Sequence, residues 1–134
     1  MIKNILVPHD FSSFANLALE KAMEIASKFK SNLILLTVVG PEIGSGIDYG
    51  RTQQIHDELE AKYLVELNKI KESKANEDVT ISVKITHNPS SADGILNFTK
   101  NNDVDLIVMG SHGRSGFKKL ILGSVASRVT TRAS

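Results

Sequence analysis

DLIVMGSHGRSGFKKLILGSVAS, residues 105–127, reads as a strand, a glycine-rich turn and a helix start, and the rest of the chain is arranged around it. Leu106 to Met109 is a short apolar run of strand type. The loop after it carries Gly110, Gly113, Gly116 and Gly123 with Arg114, Lys118 and Lys119, and no acidic residue interrupts it. Gly123-Ser124 then offers a hydroxyl N-cap for a following helix. A strand, a cationic glycine turn and a helix N-terminus together describe an anion site, because unpaired backbone N–H groups and the helix dipole point at the ligand. Phosphate is the anion this arrangement favours.

At 134 residues the chain fits one compact domain, residues 1–134, long enough to bury a core without disulfides or a structural metal. The sequence has no cysteine, which removes a disulfide framework, a thiolate zinc site and a cysteine nucleophile. The longest apolar run, Leu33 to Val39, is far short of the roughly 20 residues a membrane helix needs. MIKNILVPHD lacks the longer apolar core and cleavage site of a signal peptide, so the expected location is cytoplasmic. With 16 basic against 15 acidic residues, no whole-molecule field draws the chain to nucleic acid or to a membrane. The local excess of cations in the Gly110–Gly123 loop is therefore the informative one.

Earlier in the chain, Ile5-Leu6-Val7 ends at Pro8 and suits a strand buried on both faces of a parallel sheet. Ser12 or Ser13 can cap a helix whose apolar positions are Phe14, Ala18, Ala22, Ile25 and Phe29. Leu33 to Val39 is the second strand, giving a βαβ unit with its usual right-handed crossover. Gly40 to Arg51 is read as a loop, either a lid or an ordinary connection. Gln53 to Lys71 resumes helical spacing through Ile55, Leu59, Tyr63, Leu67 and Ile70. Val79 to Ile85 alternates apolar and polar residues, as an edge strand with one wet face does. Pro89-Ser90-Ser91 with Asp93 signals the cap of a short helix before the strand at Leu106. The order βαβαβαβα gives an α/β class with an open parallel sheet.

Ligands of such sheets sit outside the carboxyl ends of the strands, where the strand order reverses. If the fourth strand lies beside the first, Pro8-His9-Asp10 and the Gly110–Gly123 loop face one crevice. Asp10 would repel phosphate, so its task there is to accept hydrogen bonds from a sugar hydroxyl. Neither GxxxxGK[ST] nor a GxGxxG after the first strand occurs, which sets aside a P-loop and the usual dinucleotide fold. A mononucleotide fits better.

The spacing Gly110-x2-Gly113-x9-Gly123-Ser124, with ILVPHDFS at 5–12 and DLIVMGSHGRSG at 105–116, resembles the universal stress proteins and their ATP-binding motif. The resemblance covers essentially the whole chain. It implies a Rossmann-like sheet of the nucleotide α-hydrolase-like kind in the order 3-2-1-4. It further implies ATP as the cofactor, with or without magnesium, and leaves AMP and ADP open. Asp10 would hold the ribose or adenine end, while Pro8, Val38 and Met109 would line the base pocket. Gly110, His112, Gly113, Gly123, Ser124 and Val125 would surround ribose and phosphates, largely through backbone N–H groups. Arg114 is a candidate whose side chain either meets phosphate or points to water. His112 reads as a turn or phosphate-bonding residue rather than an acid–base catalyst. No catalytic residue is assigned, and His9, His56 and His87 have no metal-ligand spacing.

One departure from the family concerns the end of the chain. Relatives usually continue into a fifth strand of the type CPVLVV that pairs subunits, whereas this sequence stops at Arg132-Ala133-Ser134. The fourth strand is then expected to be a bare sheet edge, and a homo-oligomer, a dimer by a non-standard interface, is expected to form there or on an uncovered apolar face. The function implied is an ATP-binding stress-response module whose nucleotide selects its partners. A slow ATPase or phosphotransferase and a nucleotide-free interaction protein are the alternatives.

Overall fold

Ile5, Leu6 and Val7 form an uninterrupted apolar triplet, and in the computed structural model all three are completely buried. Residues 2–40, 49–111 and 119–124 are described. The triplet belongs to β1 (Asn4–Pro8), flanked in the sheet by β2 (Asn32–Val39) and β4 (Leu106–Ser111), both parallel to it. A strand with parallel neighbours and helices above and below has no wet face, which is why its residues need not alternate. β3 (Thr80–His87) pairs with β2 from Asn32↔Thr80 to Val39↔His87 and forms one edge. Its Val79 and Ile81 flank are buried while Thr80 and Lys84 are exposed, as its alternation implied.

The full order is β3-β2-β1-β4-β5, so the four parallel strands take the expected sequence 3-2-1-4. β5 (Lys119–Ser124) corrects what was expected beyond β4. It runs antiparallel to β4, from Leu106↔Ser124 to Ser111↔Lys119, so β4 is not a bare edge and cannot offer that edge to a second subunit. Leu120-Ile121-Leu122 supplies the physical reason, because an apolar triplet is the part of that stretch best suited to a sheet. Gly123 and Ser124 are the last two residues of β5, and the helix expected to follow them lies outside the described residues.

α1 (Ser13–Phe29) and α2 (Tyr49–Lys74) cover one face of the sheet, and α3 (Ser91–Asn101) covers the other. Ser12 is the N-cap of α1: its hydroxyl accepts from the Ala15 amide at 3.1 Å. The buried seam of α1 is Ala15, Ala18, Leu19, Ala22 and Ala26, of which Ala18 and Ala22 were expected; Ile25 packs against its edge, and only Phe29, 46% exposed, departs clearly from the expected stripe. Four alanines let the helix axis lie close to β1 and β4, and the larger residues are turned to the flanks. α2 begins at Tyr49, four residues before the expected start at Gln53, and its stripe through Ile55, Leu59, Tyr63, Leu67 and Ile70 faces inward as its spacing indicated. The α3 cap is Ser90, whose hydroxyl accepts from the Asp93 amide. No helix among the described residues is long and apolar enough to cross a membrane.

At the amino end of the sheet, the Asp105 carboxylate accepts from the backbone amides of Lys3 at 2.9 Å and Asn4 at 3.0 Å. The Asp105 amide returns a bond to the Asn4 carbonyl at 2.9 Å, so one residue ties the start of β4 to the start of β1. Asp105→Ala is expected to lower the unfolding free energy by about 1–2 kcal/mol, since charge-assisted bonds at a partly buried site are lost. Urea unfolding reads this directly, and an unchanged midpoint would mean the clasp contributes nothing.

Candidate functional site

The chain passes from β1 outward to β2 and β3, then returns across β1 to β4, which creates a switch point between β1 and β4. A cleft of about 360 Å³ opens there at the carboxyl ends of the strands. Its size is that of a small-ligand pocket. Pro8 and Asp10 follow β1 into it, Thr37 and Val38 come from β2, and Met109 and Gly110 come from β4. The wall is completed by Phe14 and Ala15 of α1, Tyr63 of α2, and Ser91 and Ile95 of α3.

The turn from β1 to α1 is held unusually tightly. His9 is buried, at 3% exposure, and its Nδ1 accepts the Phe11 amide at 3.0 Å. A neutral ring that accepts at Nδ1 carries its proton on Nε2, and that atom donates to Asn16 Oδ1 at 3.0 Å. The His9 backbone is fixed as well: its amide donates to the Leu36 carbonyl at 2.8 Å, and its carbonyl accepts from the Thr37 hydroxyl at 2.9 Å. Phe11 sits at φ 68°, a left-handed conformation that is strained for a bulky side chain. Its ring stacks on Tyr63 at 5.3 Å between centroids and meets the His9 ring edge-on.

Burial pushes the His9 imidazole below its ordinary 6.5, against the opposing influence of the Asn16 hydrogen bond and the Asp10 charge. Burial pushes the Asp10 carboxyl upward, but hydrogen bonds from the Ser12 hydroxyl and amide outweigh it, and Asp10 ends below its ordinary 3.8. The Ser12 amide meets Asp10 Oδ1 at 3.0 Å. A carboxylate has about four acceptor sites, so Asp10 keeps capacity to accept from a ligand hydroxyl beside its bonds to Ser12.

Gly110 has a steric reason to be glycine. A Cβ there would lie 2.6 Å from the Phe14 carbonyl oxygen and 2.9 Å from its carbon, so the end of β4 passes directly against the first turn of α1. This close approach brings β4 backbone to the cleft.

Of the residues the sequence nominated, Pro8, Asp10, Val38, Met109 and Gly110 come together in one cleft. His112, Gly113, Arg114 and Val125 lie outside the described residues. Gly123 and Ser124 are not brought to the cleft: on β5 they pair with Ile107 and Leu106, toward the amino end of β4. At about 3.4 Å per residue that is roughly 10 Å from Gly110. Sequence reasoning places His9 at the crevice only as part of Pro8-His9-Asp10, with no role of its own, and does not nominate Phe11 or Thr37. Tyr63 was legible only as a core position of α2, and nothing local marks Phe11 for a left-handed backbone. Among the described residues, no cluster of histidine and carboxylate side chains is arranged to hold a metal ion.

An open parallel sheet with a small-ligand cleft at its switch point defines a nucleotide-fold α/β protein. The model of the universal stress protein family matches residues 1–134, and the chain belongs to that family. Universal stress protein YxiE of Bacillus subtilis is 33% identical over 138 residues, covering 97% of this chain and 93% of its own. Universal stress protein MJ0531 of Methanocaldococcus jannaschii is 30% identical over 135 residues, covering 99% of this chain and 78% of its own. Among solved structures, the universal stress protein UspA from Lactobacillus plantarum superposes with a TM-score of 0.71 at 25% identity, covering 96% of this chain and 90% of its own.

Proposed function

We propose that this chain is a cytoplasmic ATP-binding module of the stress response, a protein whose bound nucleotide selects its interactions. The observation that carries the reading is the convergence of Pro8, Asp10, Val38, Met109 and Gly110 in one cleft. These residues fit the ligand chemically. The apolar sides of Val38 and Met109 suit a base, the exposed Asp10 carboxylate suits a ribose hydroxyl, and the glycine at 110 suits a ligand that approaches backbone. Phosphate falls to the stretch that follows Ser111, where His112, Gly113 and Arg114 supply backbone donors and a cation. Bound ATP supplies charge and shape to this end of the sheet, and the chain's part is to hold it.

The test is to denature the purified protein, identify released small molecules by liquid chromatography and mass spectrometry, then titrate nucleotide-free protein with ATP and AMP. Saturable binding with one nucleotide per chain is expected. Neither carry-over nor saturable binding would overturn the reading and favour a nucleotide-free interaction protein.

A further inference from the structure

His9 is a buried histidine whose two ring nitrogens are both spent on holding one turn. Nδ1 accepts the amide of Phe11, the residue with φ 68°, and Nε2 donates to Asn16 on α1. The strain at Phe11 persists only if its surroundings fix it. The His9 ring, the Phe11–Tyr63 stack and the Thr37 bond to the His9 carbonyl are those surroundings. Asp10 lies between His9 and Phe11, so the direction of its carboxylate follows from the same restraint.

We propose that His9 is the positioning residue of the ligand site, and that its neutral imidazole, accepting from Phe11 and donating to Asn16, sets the turn that presents Asp10 and Phe11 to the nucleotide. This rests on the nucleotide reading of the cleft. A second proton on His9 must go to Nδ1, where it removes the acceptor for the Phe11 amide and places two donors face to face. Among the described residues the charged group acting on the ring is Asp10 in its own turn; α1 presents the neutral Asn16, and β2 presents the neutral Thr37 to its carbonyl. With its pKa lowered by burial, His9 keeps the turn intact above its ordinary 6.5, and the restraint is lost as pH falls through the lower folded value. Asp10, whose own pKa lies below 3.8, stays ionised across that range and does not confound it.

The experiment measures ATP affinity by calorimetry from about pH 7.5 to pH 5, in the wild type and in His9→Ala, His9→Asn and His9→Gln. Asparagine places Oδ1 where it can accept the Phe11 amide and does not titrate. Glutamine reaches Asn16 but leaves that amide without an acceptor, and it serves if the alanine variant fails to fold. Expected at neutral pH is a loss of about tenfold or more in His9→Ala and His9→Gln and recovery to within about threefold in His9→Asn. On acidification the wild type should lose at least about fivefold more affinity than His9→Asn, a comparison that cancels titration of ATP itself. Wild-type affinity in folded His9→Ala or His9→Gln, or an asparagine variant that follows the wild-type pH profile, would overturn the assignment. If wild type binds no ATP at any pH, the nucleotide reading fails separately, and exchange of the Phe11 amide decides the positioning role. Protection in wild type and His9→Asn but not in His9→Ala or His9→Gln sustains it; equal protection in all overturns it.

Discussion

Gly110→Ala is expected to destabilise the fold by about 1–3 kcal/mol and to weaken ATP binding by about tenfold or more. The new Cβ would lie 2.6 Å from the Phe14 carbonyl oxygen, a backbone atom that no rotamer change can move. Either the end of β4 or the first turn of α1 must shift by several tenths of an ångström. Both carry cleft residues: Gly110 and Met109 on one side, Phe14 and Ala15 on the other. The strain therefore falls inside the site and reaches affinity as well as stability. Thermal unfolding should show a midpoint several degrees lower. A variant with an unchanged midpoint and unchanged affinity would mean that α1 and β4 do not approach in this way.

Asp10→Ala is expected to weaken ATP binding by about tenfold to a hundredfold, the loss of a hydrogen bond to a charged acceptor. Asp10 is exposed, its carboxyl is held below the usual range by Ser12, and it is therefore an ionised acceptor at neutral pH. Removing it also relieves repulsion of phosphate, so the affinity for inorganic tripolyphosphate should stay level or rise. Asp10→Asn retains an acceptor for the Ser12 amide and should lose less, separating the turn's integrity from the contact with ribose. The sharpest comparison uses 2′,3′-dideoxy-ATP, which lacks the hydroxyls that Asp10 would accept from. Wild type and Asp10→Ala should bind that analogue alike. A large difference between them would move Asp10's role away from the sugar.

Much of the architecture was legible because local signals and burial agree. Ile5-Leu6-Val7 without alternation means a strand covered on both faces, and all three residues are completely buried; Val79 to Ile85 with strict alternation means an edge, and β3 is one. The caps were readable to within a residue, Ser12 or Ser13 and the Pro89-Ser90-Ser91 stretch, because an N-cap is a local hydrogen bond between neighbours in sequence; the structure selects Ser12 and Ser90. The seam of α1 was legible only at Ala18 and Ala22, because apolar residues occur on two adjacent stripes and the choice between alanines and phenylalanines depends on how closely the sheet approaches. The strand pairing of Leu120-Ile121-Leu122 was not legible, because its partner β4 is set by tertiary packing and the stretch was read only as part of a loop.

The site divides along the same line. Pro8, Asp10, Val38, Met109 and Gly110 were found through a motif and through the rule that ligands lie at the carboxyl ends of strands. His9 was set aside for lack of metal-ligand spacing, since its partners Phe11 and Asn16 become partners only when the turn closes. Phe11 and Tyr63 are 52 residues apart in sequence and meet only through the packing of α2 on the β1–α1 turn.

The most direct test of the central claim is to follow backbone amide resonances of nucleotide-free protein as ATP is added. The account predicts saturable shifts concentrated at residues 9–12, 37–39 and 109–114, with Lys3, Asn4 and Asp105 at the opposite end of the sheet undisturbed. Saturable binding whose shifts centre on the amino ends of the strands, or no shifts at millimolar ATP, would contradict it.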